Sequence, residues 1–98
     1  MKFMIIARYK DSFYALPPKK QGELMDATGP YMEKWTKEGK LKEAYSLGNM
    51  KGVMGILDLK SSEDLVRLAY ESPLFPFVDA ELTPLVEIDV VKKVQAKK

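Results

Sequence analysis

The first strand predicted from the sequence has apolar side chains on both of its faces. Its two alternating sets of positions are Phe3, Ile5, Ala7 and Tyr9, and Met4, Ile6 and Arg8. Because successive side chains of a strand point to opposite faces, each face of this strand needs a cover. A chain of 98 residues suffices for one domain, 1–98, with one core. We therefore expect one of the two covers to come from another chain.

A helix and two strands are predicted to follow. A loop over 11–16 leads to Pro17-Pro18, and apolar residues spaced by three and four predict a helix over 19–38 that Gly39 ends. Strands over 41–47 and 53–59 flank a turn at 48–52, whose glycine and asparagine residues tolerate left-handed backbone angles. Regular alternation in the strand over 41–47 places the following residues on one face: Leu41, Glu43, Tyr45 and Leu47.

The second half of the chain predicts one more helix and one more strand. The helix is capped by Ser61-Ser62 and ends at Pro73. Its expected buried stripe consists of Leu65, Val66, Leu68 and Ala69. A last strand over 78–90 is expected to be broken or bulged at Pro84, since proline cannot donate a ladder hydrogen bond. The basic segment 92–98 is expected to be a solvated tail.

The dipeptide Gly29-Pro30 lies inside the first predicted helix. Proline removes a backbone hydrogen bond, so a kink or a split is expected near Ala27. A bend that lets the helix follow a twisted sheet is the structural interpretation, and an opening for a ligand is the functional one.

The element order βαββαβ is that of an α+β ferredoxin-like plait. In this fold two helices cover one face of a four-stranded antiparallel sheet, with the first and third strands central and the second and fourth outermost. The other face would carry Met4, Ile6, Met54 and Ile56, a large apolar patch if it were left in water. We therefore expect a homodimer or higher homo-oligomer that pairs through this sheet face.

Cysteine and histidine are both absent from the sequence. This excludes a thiolate nucleophile, a disulfide and a histidine-based triad, and no metal site is expected without the usual ligands. The net charge of +2 is too small for a nucleic-acid partner, and no segment is apolar enough to span a membrane. No glycine-rich phosphate loop occurs, so no cofactor is expected, and the cytoplasm is the expected location.

The segment Ser72-Pro73-Leu74-Phe75-Pro76-Phe77-Val78-Asp79 forms a rigid apolar corner before the last strand. With Lys37-Glu38-Gly39 at the end of the first helix, it resembles the muconolactone isomerase-like family. The likeness extends from the first strand to about Leu85. The resemblance implies a small cofactor-free plait that pairs through its sheets into a dimeric α+β barrel. It also implies an isomerase that shifts a double bond in a small lactone by moving a proton.

A proton-moving site without histidine needs a carboxylate, a lysine or a tyrosine. Asp79 and Glu81 share one face of the last strand, and Arg8 lies on a central strand, where enclosure is expected. We predict Arg8 as the anion-holding group and Asp79 or Glu81 as the base. The structural alternative is that these charges lie at the sheet edge, or that Arg8 forms a salt bridge across a dimer interface.

Four aromatic residues are candidates for the wall of a pocket between the first helix and the sheet: Tyr9, Tyr31, Trp35 and Tyr45. The alternative is that an aromatic stripe at helical spacing belongs to the core. In a pocket, the phenol hydroxyls would provide a polar end for a small hydrophobic, aromatic or lactone-like ligand.

Two hypotheses on function follow. The first is a cofactor-independent isomerase-like enzyme that acts by proton transfer on a small lactone or aromatic-derived compound. The second is a non-catalytic oligomeric ligand-binding or regulatory domain of the same fold. The sequence does not separate them.

Overall fold

The chain folds around a four-stranded antiparallel sheet, and the computed structural model describes residues 1–97. The strands are β1 (Lys2–Tyr9), β2 (Leu41–Ser46), β3 (Gly52–Asp58) and β4 (Val78–Leu85), in the spatial order β2-β3-β1-β4. The helices are α1 (Asp11–Tyr14), α2 (Pro18–Lys37), α3 (Ser62–Glu71) and α4 (Ile88–Gln95), with a 3-10 turn at Phe75–Phe77. The predicted α+β plait, with its first and third strands central, is confirmed. One chain is described, so pairing into a dimeric barrel stays a prediction.

Helix α2 runs without interruption through Gly29-Pro30, so of the two predicted outcomes the split is wrong and the kink stays a prediction. The preceding turn is held by the Thr28 hydroxyl, which is buried and donates to the carbonyl of Leu24 at 2.8 Å. The helix ends as predicted at Gly39, whose φ of +77° is one that glycine adopts without a side-chain clash. This end directs the chain into β2.

Helix α3 begins at the predicted cap, where the Ser61 hydroxyl accepts a hydrogen bond from the Asp64 amide at 3.2 Å. Leu65 and Leu68 pack against the core. Val66 is 51% exposed, so its place in the predicted stripe is wrong. A helix of ten residues lying on a sheet turns only a narrow stripe inward.

The core lies between the helices and one face of the sheet, in two clusters. One cluster contains Ala7, Phe13, Leu74 and Val78. The other contains Trp35, Leu41, Leu57 and Leu59. Among residues 1–97 no side chain is less than 2% exposed, so the core of a single chain is thin.

Three local predictions are corrected. The segment 11–16 begins with the one-turn helix α1 rather than a loop. In the turn at 48–52 the residue with a left-handed backbone is Met50, with φ of 62°. The last strand stops at Leu85. Leu85 pairs with Lys2, the first residue of β1, so the residues after Leu85 have no neighbouring strand with which to pair.

A helix, α4, follows the end of β4 and occupies the last residues of the predicted strand over 78–90 and the first residues of the predicted tail over 92–98. Its apolar side chains, and that of Val86 two residues before it, are exposed: Val86, Ile88, Val90, Val91 and Val94. Within the described part of the chain, no helix is long and apolar enough to cross a membrane.

Candidate functional site

The two faces of the sheet have different surroundings. Ala7 and Leu57 are buried under the helices, so their neighbours along β1 and β3 point to the opposite face, which we call the open face. Cross-strand partners share a face, and the register therefore assigns these residues to the open face: Met4, Ile6, Arg8, Glu43, Tyr45, Met54, Ile56, Asp79, Glu81 and Thr83. The four apolar residues predicted for this face lie at its centre.

The three predicted catalytic residues meet at one corner of the open face. Arg8 pairs in register with Asp79, and its Nη1 atom lies 3.6 Å from Oε2 of Glu81. Lys10 adds a second cation, with its Nζ atom 3.9 Å from Oδ1 of Asp79. We call these four residues the charged corner. It brings two cations and two carboxylates together, groups that can hold an anion and move a proton.

The charged corner is open to solvent in the single chain. The Arg8 side chain is 56% exposed, and those of Glu81 and Asp79 are 68% and 80% exposed. The single chain does not enclose Arg8, because a central strand is enclosed only where both faces of the sheet are covered. The predicted enclosure of Arg8 therefore stays a prediction that depends on a second chain. Within residues 1–97 the helix layer covers the other face.

A β-bulge decides which face carries Glu43 and Tyr45. The register moves from Leu41 opposite Leu57 to Glu43 opposite Ile56, so Lys42 is an extra residue on β2. Leu41 is consequently buried under the helices while Glu43 and Tyr45 lie on the open face. The predicted regular alternation, with all three on one face, is wrong. The bulge adds an acid and a phenol to the open face.

Glu43 and Tyr45 form a hydrogen-bonded pair. The Tyr45 hydroxyl donates to Oε1 of Glu43 at 2.9 Å. This bond, and the negative charge beside the phenol, raise the pKa of Tyr45 above its ordinary value of 10.0. The side chain of Glu43 is thereby held against its neighbour on the same strand.

Replacing Glu43 with glutamine should lower the pKa of Tyr45 toward 10.0, since glutamine keeps a hydrogen-bond acceptor but removes the charge. Carbon-13 NMR of labelled tyrosine rings, followed against pH, measures this pKa, and Tyr45→Phe assigns the signal. Glu38→Gln is the control, because Glu38 pairs with Lys40 rather than with a tyrosine. An unchanged Tyr45 titration in Glu43→Gln would contradict the pair.

The other three predicted ligand-binding aromatics lie on the helix side of the sheet. Trp35 is buried and its indole N–H donates to Glu71 at 3.3 Å, while Tyr31 packs beside it with ring centroids 6.1 Å apart. Tyr9 stacks on Phe13 at 4.7 Å, and burial raises the pKa of Tyr9, with a smaller contribution from Tyr14.

The predicted catalytic residues and the aromatic residues of the helix side therefore cannot line one common pocket within a single chain. Tyr31 and Trp35 pack on the side of the sheet that the helices cover. Arg8 and Asp79 lie on the open face, on the other side of the sheet. The core interpretation of the aromatic stripe is confirmed for Trp35, which is 8% exposed. The roles of the seven predicted site residues stay predictions.

Two clefts lie on the helix side, and the sequence did not indicate either. The first has a volume of about 280 Å³ and is lined by Leu16, Lys20, Glu23, Leu24 and Phe77. The second, of about 580 Å³, is bordered by charged residues between α2 and α3, where Lys40 pairs with Glu38 and Asp64 at 3.4 Å each. Residues 1–97 contain no group of three or more acidic side chains placed to hold a metal ion.

Comparison with known proteins gives consistent matches. The model of the muconolactone delta-isomerase family matches residues 1–89. A muconolactone delta-isomerase of Rhodococcus opacus is 26% identical over 72 residues, which are 74% of this chain and 77% of that protein.

Two solved structures share the fold. The crystal structure of a muconolactone isomerase superposes with a TM-score of 0.74 at 23% identity, covering 89% of this chain and 90% of the other. A 5-chloro-2-hydroxyhydroquinone dehydrochlorinase of Burkholderia phenoliruptrix, solved with 2,5-dihydroxybenzoquinone, gives 0.69 at 13% identity, covering 92% and 98%. At these identities the superpositions establish the arrangement of strands and helices.

Proposed function

The chain belongs to the muconolactone delta-isomerase family, and on that premise we propose that it is a small-molecule isomerase that moves a proton without a cofactor. The family match spans all four strands and the first three helices. It therefore includes the whole open face and the charged corner. The proposed substrates are small unsaturated lactones or related aromatic-derived compounds.

Shifting a double bond in such a lactone requires two kinds of group. A base takes a proton from a carbon conjugated with the carbonyl, and the electron pair of the broken C–H bond spreads to the carbonyl oxygen. A proton then returns to the carbon at the other end of the conjugated system, so the double bond moves and no atom is lost. A cation beside the oxygen stabilises the intermediate charge.

The charged corner offers both groups, and the contact between Arg8 and Glu81 at 3.6 Å is the observation that carries the proposal. A guanidinium remains charged at any working pH and presents several donors to an anion, so Arg8 is assigned to the developing oxyanion. Glu81 or Asp79 is assigned as the base. Met4 and Ile6, beside them on β1, would contact the apolar part of a ligand.

Proton transfer of this kind also needs a site from which bulk water is excluded. The open face of one chain does not provide it. We therefore include in the proposal the pairing of two chains through their open faces, which would cover the charged corner.

The test is turnover of muconolactone and other small unsaturated lactones in D₂O, followed by proton NMR, which reports both the shifted double bond and deuterium uptake at carbon. We expect Arg8→Gln to lower kcat on the order of a hundredfold to a thousandfold. Glu81→Gln or Asp79→Asn should lower it by about 10² to 10⁴, depending on which carboxylate is the base. Lys19→Gln and Glu33→Gln remove the same charges from exposed positions on α2 and should leave turnover unchanged.

Absence of turnover and of deuterium uptake across this panel would contradict the isomerase. The second candidate function, a non-catalytic ligand-binding domain, is favoured by the apolar cleft under α2. In that case a small aromatic carboxylate such as benzoate should bind in NMR titrations. Leu24→Gln should then weaken the binding, and Arg8→Gln should not.

A further inference from the structure

The charged corner contains as many carboxylates as cations. Arg8 is paired with Glu81 at 3.6 Å. Lys10 is paired with Asp79 at 3.9 Å, and its backbone is fixed directly after β1 because its amide donates to the carbonyl of Phe77 at 2.9 Å. Each cation of the corner therefore already has an anionic partner within the same chain.

The carboxylates are the most exposed members of the corner. The side chains of Asp79 and Glu81 are 80% and 68% exposed, against 56% for Arg8 and 42% for Lys10. A molecule that reaches the corner from solvent therefore meets negative charge first. An anion is repelled there, and the repulsion grows where water is excluded, because the local dielectric falls.

The rest of the open face supplies no cation near the corner within residues 1–97. Lys2, the next cation along β1, lies in register opposite Asp58 and six residues from Arg8, which is roughly 20 Å along a strand. At the β2 edge the carboxylate of Glu43 accepts from the neutral phenol of Tyr45. In the described part of the chain, no lysine or arginine nitrogen lies within 4.0 Å of it.

The proton transfer described above keeps the corner balanced in charge when the substrate is uncharged. The base becomes neutral when it takes the proton, and the same negative charge appears on the lactone oxygen. If Glu81 is the base, Arg8 loses its ionic partner as the oxyanion forms, and its guanidinium can bind that oxygen instead. Asp79 and Lys10 allow the same exchange. A substrate with its own carboxylate would add one uncompensated negative charge at every stage.

We propose that the charged corner selects uncharged lactones and rejects lactones that carry a carboxylate. The selection comes from the charge balance, since a carboxylate would stand beside Asp79 and Glu81 without a cation of its own. The expected substrates differ in this respect from muconolactone, whose carboxylate is ionised at neutral pH. This inference rests on the proposed function and narrows its substrate class.

The test compares muconolactone with its methyl ester, which has the same ring and side chain but no charge. Proton NMR in D₂O follows the double-bond shift in both. We expect kcat/KM for the ester to exceed that for the acid on the order of a hundredfold, because like charges in a covered site repel. The smaller uncharged α-angelica lactone should also be turned over faster than the acid, which separates charge from size.

A lysine in place of Thr83 should supply the missing cation. Thr83 lies on the open face opposite Met4, two residues along β4 from Glu81. Thr83→Lys should raise kcat/KM of the acid relative to that of the ester by about tenfold. Thr83→Gln, which adds length without charge, should leave this ratio unchanged. Thr36→Lys places the same charge at an exposed position of α2 and should also leave it unchanged.

Equal rates for acid and ester, or a preference for the acid, would overturn the inference and leave the proposed function supported. Absence of turnover for all three lactones would contradict the proposed function itself. A ratio that does not change in a Thr83→Lys protein that circular dichroism shows to be folded would also overturn the selection by charge. If that variant does not fold, the three rates of the parent chain decide, because the ester and α-angelica lactone differ in size and share only the lack of charge.

Discussion

Replacing Trp35 with alanine should lower the free energy of unfolding by about 3–5 kcal/mol, the range for a buried tryptophan. Trp35 is 8% exposed and packs with Leu41 and Leu57, which belong to β2 and β3. The truncation leaves a cavity between α2 and the sheet and removes the hydrogen bond to Glu71. Urea denaturation followed by circular dichroism measures the change.

The matched control is Tyr70→Ala on α3, because Tyr70 is 86% exposed and its loss should cost within about 0.5 kcal/mol. Trp35→Phe separates packing from hydrogen bonding, since it keeps an aromatic ring and loses the indole donor. A Trp35→Ala protein with the stability of the parent and no ligand binding would favour the predicted role of Trp35 as a pocket wall over its role in the core.

Gly52→Ala should cost about 2–3 kcal/mol by overpacking. A β-carbon at Gly52 would press into the carbonyl oxygen of Ala7 and lie 3.0 Å from the α-carbon of Arg8. Both neighbours are backbone atoms of the central strand, so neither can move aside by rotation of a side chain. Urea denaturation measures the loss, and lactone turnover should fall with it, because Gly52 is the register partner of Arg8.

Gly48→Ala controls for the general effect of removing a glycine from this hairpin. A β-carbon at Gly48 would meet no heavy atom within 4 Å, so its substitution should leave stability nearly unchanged. Equal losses in Gly48→Ala and Gly52→Ala would show that the effect comes from chain flexibility rather than from the close approach to β1.

The strand order and the main helices could be predicted from the sequence, because each element carries a strong local signal. The proline pair at the start of α2, Gly39 after its end and the Ser61 cap of α3 mark helix ends through chemistry that acts within a few residues. The two sets of apolar residues in β1 indicated an uncovered face. The apolar corner around Phe75 carried the family resemblance, which the match over residues 1–89 confirms.

Beyond Arg8, Asp79 and Glu81, which were predicted and do lie together, the contents of the candidate site could not be predicted, because they depend on contacts between elements. A strand pattern with a period of two gives no sign of the extra residue at Lys42, so Glu43 was assigned to the face of Leu41. The end of β4 depends on where β1 begins, which no property of Val86 or Ile88 reveals. Sequence distance also hid the fact that Arg8 and Trp35 lie on opposite sides of one sheet.

For sequence alignment, the bulge makes Lys42 the natural position of a gap. A relative with one residue fewer in this strand would form a regular ladder, with its later side chains on the same faces as Glu43 and Tyr45. If the gap were instead placed one or two residues after Lys42, the residues between Lys42 and the gap would be aligned with residues that lie on the other face of the sheet. Which residues of a relative are matched with Glu43 and Tyr45 of β2 therefore depends on where the alignment places this one gap.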